Sequence, residues 1–183
     1  MKKMNYWGMA GFTILYAVTV IATAFLGFLA PSAWVLFPII AALLAAFSYY
    51  WIASRWQKFG VATLLSLVLA LILLAMGEFE WQESLLMMAT GIASDVVRQF
   101  VGNTTQKGMT LAYPLLPVGI IAWTLPLWTR TQWYYDGAAE ELGIDYAKGL
   151  MVYASPWCLL LIICTILISG WVGIQFASKI IKE

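Results

Sequence analysis

Apolar residues run along this chain in long unbroken stretches, separated by short polar punctuation, and they do not alternate. A bilayer-crossing helix needs about 20 mostly apolar residues. The first such stretch is 8–30, closed by Pro31-Ser32. The second, 33–53, ends at the polar turn Ser54-Arg55-Trp56-Gln57-Lys58. A shorter third covers 61–77. A fourth, 84–101, is the least apolar because it carries Asp95 and Arg98. A fifth, 109–128, contains Pro114 and Pro117, and a sixth covers 151–176 after the polar connection Thr129 to Lys148. The runs are too long and too continuous for barrel strands. The pattern predicts an all-α integral membrane protein, a single domain of six transmembrane helices with no internal repeat.

Composition gives the same reading. Of 183 residues, 63% are hydrophobic and 10% charged, and the mean hydropathy is +0.86. A soluble domain of this size has too much surface to hide so many apolar side chains. Met1-Lys2-Lys3 leads into an apolar run too long for a cleaved signal peptide. Basic residues tend to remain in cytoplasmic loops. With the N-terminus inside, Lys2, Lys3, Arg55, Lys58, Arg98, Lys107, Lys179 and Lys182 are cytoplasmic, and only Arg130 and Lys148 are outside. Both ends are therefore expected in the cytoplasm of a multi-pass cell-membrane protein.

Histidine is absent, which excludes His-ligated haem, Ser-His-Asp hydrolysis and HExxH metalloproteases. Cys158 and Cys164 lie six apart in one apolar run, roughly 9 Å apart along a helix axis and too far for a mutual disulfide. No GxSxG, Walker loop or Cys/His metal cluster occurs. Neither an enzyme nor a cofactor is expected. Without an ATP site the chain cannot itself drive primary transport, so a binding or coupling subunit of a larger assembly fits best.

The expected outer face holds the informative side chains. They are Trp81 and Glu83 after span three, then Trp123, Trp128, Arg130, Trp133, Tyr134, Tyr135 and Asp136, then Trp157 near span six. Flat apolar walls with a few polar groups are what a small-ligand pocket requires. Trp and Tyr also gather at membrane interfaces as anchors, and both roles remain open for each ring. The segment 132–148 suits a surface helix, either a lid or a plain connector. Its pairs Asp136/Glu140 and Glu141/Asp145 suit a weak site for a hard cation or simply a solvated face. Asp95 and Arg98, three apart, share a helix face, roughly 17 Å and 21 Å down span four from Ser84. They read as a structural ion pair, as a contact to a partner, or as groups handling a ligand or proton.

An ordered set of short motifs resembles the substrate-binding S components of energy-coupling factor ABC transporters, in particular the Trep_Strep group. The motifs are Lys58-Phe59-Gly60, Gly91-Ile92-Ala93-Ser94-Asp95, Pro126-Leu127-Trp128-Thr129-Arg130 with Tyr134, Gly143-Ile144-Asp145-Tyr146-Ala147 and Ser155-Pro156-Trp157. The resemblance implies a six-helix S component that binds a small nutrient, such as a vitamin-like molecule, heterocycle or metal chelate, from outside. Its implied partners are ATP-binding-cassette ATPase subunits and a transmembrane coupling protein. Carried onto this chain, the ligand positions are Trp128, Arg130, Tyr134 and Trp157, with Trp81 and Glu83 near them by topology and Arg130 meeting an anionic group. The Ala-xxx-Ala docking pattern of many S components is absent from span one, where Ala17 is followed by Ile21. A structural subunit without a ligand and a stand-alone facilitator are the alternatives.

Overall fold

The computed structural model describes residues 6–181; Lys2, Lys3 and Lys182, which enter the count of basic residues above, lie outside them. Helix α1 (Tyr6–Ala24) tightens into a 3-10 turn over Phe25–Leu29, and α2 (Pro31–Leu44) continues through Ala45 into α3 (Ala46–Arg55). Then follow α4 (Val61–Ala75), α5 (Trp81–Val101), α6 (Gln106–Ala112), α7 (Leu115–Val118), a 3-10 turn (Gly119–Trp123), α8 (Pro126–Thr129), α9 (Thr131–Leu142), α10 (Ile144–Met151) and α11 (Pro156–Ile180). Among the described residues there is no strand. Among the described residues three helical segments are long and apolar enough to cross a membrane: Tyr6–Leu29, Pro31–Arg55 and Pro156–Ile180. Val61–Ala75 is apolar but shorter.

Local chemistry sets the boundaries. At α5 the Glu80 side chain accepts from the backbone of Glu83, while Glu83 Oε2 accepts from the Glu80 N–H at 3.1 Å. This reciprocal pair satisfies two N–H groups that a helix start leaves free. Thr105 caps α6 through Gly108 N–H at 2.9 Å. Ser155 caps α11, whose first position is Pro156, a residue with no N–H to leave unpaired. The segment 109–128, expected as one helix, is broken into α6, α7, a 3-10 turn and α8. Pro114 and Pro117 lack the N–H groups a continuous ladder requires. The expected sixth span is a single helix that starts later than 151: α10 ends at Met151 and α11 runs from Pro156.

Helix α5 packs on α4, α6, α7 and the second 3-10 turn, α11 packs on α2 and α3, and α1 packs on α2, α3 and α4. Two crossings are too close for any side chain but hydrogen. A Cβ on Gly91 of α5 would lie 2.1 Å from Ser66 Oγ and 2.9 Å from the Ala62 carbonyl of α4. One on Gly173 of α11 would lie 2.6 Å from the Leu43 carbonyl of α2. Such small-residue contacts bring helices together where apolar burial alone gives no driving force. Thr13 and Ala17 of α1, spaced four apart, are buried in the bundle.

Candidate functional site

One end of the bundle is formed where α1, α2 and α5 meet α9 and α10. Ionic and hydroxyl contacts hold it together. Arg130 Nη1 lies 3.1 Å from Glu80 Oε1, and Nη2 lies 2.7 Å from Glu83 Oε1. The two carboxylates that cap α5 thus also clamp the start of α9. The Arg130 guanidinium stacks over the Trp133 ring, 4.8 Å from its centroid. Further along, the Trp34 indole N–H donates to the Tyr134 hydroxyl, and the Tyr146 hydroxyl donates to the Gly27 carbonyl at 2.6 Å. These contacts dock α9 onto α2 and α10 onto the end of α1. The helix expected over 132–148 is two helices, because Gly143 adopts φ 95° between them. Asp136, considered above as a cation ligand, is exposed and accepts from Gln132 Nε2 at 2.8 Å.

Beneath α9 and α10 lies a cavity of about 560 Å³, within the range of small-molecule sites. Trp34, Trp123, Trp133, Tyr134 and Tyr146 supply its rings, and Glu78, Glu80, Glu83, Arg130 and Glu141 its charges. Trp123 is fixed from several sides: its N–H donates to Glu78 Oε2 at 3.1 Å. Its ring meets Trp34, Phe37 and Phe79 edge-on, with centroids 5.9, 5.6 and 6.2 Å away. Burial pushes the Tyr134 phenol up to about 12; Tyr146, Glu78 and Glu141 add to the rise, and the Trp34 N–H opposes it. Tyr134 therefore remains a neutral hydroxyl throughout the physiological range.

The structure brings together Glu83, Arg130 and Tyr134 of the expected ligand set. Trp81, Trp128 and Trp157 do not line the cavity. Trp128 donates to the carbonyls of Tyr153 and Ser155 at 2.9 and 3.1 Å and so staples the turn between α10 and α11. Trp81 and Trp157 are 65% and 76% exposed, which suits interfacial anchors. Lining residues outside that set include Trp34, whose position at the head of an apolar run reads as membrane helix, Glu78, and Glu141, which reads as part of a solvated face. Trp123, Trp133 and Tyr146 also line it; the first two stand among the expected outer-face rings, and Tyr146 sits in one of the motifs quoted above.

Asp95 and Arg98 lie at the other end of α5, fully buried, and take separate partners. Asp95 accepts from the backbone N–H groups of Ala62 and Thr63, at 3.1 and 2.8 Å, and from the Thr63 hydroxyl at 2.8 Å. Arg98 donates to the carbonyls of Ala53, Trp56, Lys58 and Asn103, at 2.6, 3.0, 3.4 and 2.9 Å. No ion pair joins the two among the described residues. Arg98 binds the electronegative end of α3 and Asp95 the electropositive start of α4. Each thus caps a helix from outside it, and together they hold the α3–α4 turn.

The family of hypothetical bacterial integral membrane proteins designated Trep_Strep matches residues 9–183. The chain belongs to this family. Neither curated proteins nor solved structures give a significant match. The Trep_Strep match spans every element described above except the first residues of α1, and so includes the cavity, its cap and the α3–α4 turn.

Proposed function

We propose that this chain is the membrane-embedded substrate-binding subunit of an ABC importer of the energy-coupling factor type, capturing a small, flat nutrient at the outer face. The observation that carries the reading is the cavity of about 560 Å³ walled by rings and roofed by a docked helix pair. An interfacial anchor needs no enclosed volume, whereas a binding subunit does. In this reading α1, α2–α3, α4, α5, α6–α8 and α11 are six spans, the termini are cytoplasmic, and the cavity opens outward. The chain binds and delivers without catalysis. Its partners are two ATP-binding-cassette ATPases and a transmembrane coupling protein, because the chain has no ATP-binding loop of its own.

The test is capture of the tagged chain from its native membrane in mild detergent, with mass spectrometry of the retained proteins. Recovery of ATP-binding-cassette subunits is expected. Their absence under conditions that preserve other such complexes would contradict the importer reading.

A further inference from the structure

The charges around the cavity do not favour an anion. Four carboxylates and one guanidinium line it, a formal surplus of three negative charges. The guanidinium is already taken: each terminal nitrogen of Arg130 holds a carboxylate oxygen, and its face lies on Trp133. Glu78 gives one oxygen to the Trp123 N–H and shows no basic partner among the described residues. The Glu141 side chain shows no ion pair among the described residues. Both line the same cavity as Tyr134. An anion entering here would have to displace Glu80 or Glu83 from Arg130 while facing Glu78 and Glu141.

We infer that the ligand is a flat organic cation, a ring bearing a quaternary or protonated nitrogen, held between Glu78 and Glu141 and against the rings of Trp34, Trp123 and Tyr146. The inference rests on the substrate-binding reading above and assigns the ligand's charge. Tryptophan and tyrosine faces attract such cations through their quadrupole. An apolar recess with carboxylates of one sign focuses the field on the same charge. The Arg130–Glu80–Glu83 cluster then acts as a positioning group, closing the roof without touching the charged part of the ligand.

The test uses the full chain in nanodiscs and isothermal titration at pH 7.5 with three probes of one shape: 1-methylquinolinium, neutral 4-methylquinoline and quinoline-4-carboxylate. Empty nanodiscs provide the blank. Saturable binding of the cation is expected, about tenfold tighter than the neutral probe, with no binding of the carboxylate. Glu78→Gln keeps an acceptor for the Trp123 N–H, and Glu141→Gln alters an exposed residue. Each should weaken the cation about fivefold and leave the neutral probe unchanged. Absent cation binding, equal or tighter binding of either other probe, or a cation affinity indifferent to both substitutions overturns the inference. Recovery of ATPase subunits is independent of the outcome, so the importer reading stands or falls separately.

Discussion

Helix α5 carries charged residues at both ends, and the two ends use them in opposite ways. At the α3–α4 turn, Asp95 and Arg98 are fully buried, and almost all of their bonds go to the backbone of neighbouring segments. At the other end Glu80 and Glu83 bond to a side chain, Arg130, on a partly exposed rim above an open volume. Bound mainly to backbone in a filled space, the first pair holds a turn together and faces no cavity. Charges satisfied by each other beside a cavity have a second task available. Ionisable residues in apolar helices are functional candidates by default, and here the pair deepest in the protein is the structural one.

The largest expected effect comes from breaking the buried end. Arg98→Met leaves four carbonyls without their donor, and each buried acceptor left unsatisfied costs about 1–3 kcal/mol. Thermal unfolding in detergent checks this, and a melting temperature near the wild-type value would contradict the structural assignment. Asp95→Asn keeps one acceptor but turns an amide toward the N–H groups of α4, with an expected loss of about 1–3 kcal/mol in the same assay. Gly91→Ala tests the α4–α5 crossing beside them. Its methyl overlaps Ser66 Oγ and the Ala62 carbonyl, which is expected to cost about 1–3 kcal/mol. The smallest stability change belongs to Arg130→Gln: a rim ion pair contributes about 0–1 kcal/mol. Ligand affinity should nevertheless fall, because the α9 roof loses its tie to α5. A large stability loss with unchanged affinity would reverse the roles assigned to the two ends.

Much of this architecture can be read from the residues. Long apolar runs mark the helices, and Ser54 to Lys58 marks the turn that follows α3. The division of the fifth run was signalled by Pro114 and Pro117. The start of the sixth was signalled by Ser155-Pro156, a helix-start pattern lying inside the apolar run. Glu83, Arg130 and Tyr134 were legible as polar groups among rings. What spacing could not reveal is the partner of a side chain. The i, i+3 separation of Asp95 and Arg98 makes them neighbours on α5, yet their partners lie some 30 to 45 residues earlier in the backbone, apart from the Asn103 carbonyl. Trp34 was hidden for a related reason, since an indole at the head of an apolar helix is indistinguishable from an anchor until Tyr134, a hundred residues later, bonds to it. Trp81, Trp128 and Trp157 show the converse, rings whose prominence in sequence does not place them at the cavity.

Gly137 of α9 provides the most direct test that the cavity is a binding site. It lines the volume, and a Cβ placed there meets nothing within 4 Å, so Gly137→Trp fills space without a backbone clash. Replacing a helical glycine also removes a backbone-entropy penalty of roughly 0.5–1 kcal/mol. Native mass spectrometry of nanodisc-purified protein should show a small-molecule adduct on the wild type and none on Gly137→Trp, with both variants equally stable to heat. Equal adducts on both, or bare protein in each case, would contradict the account.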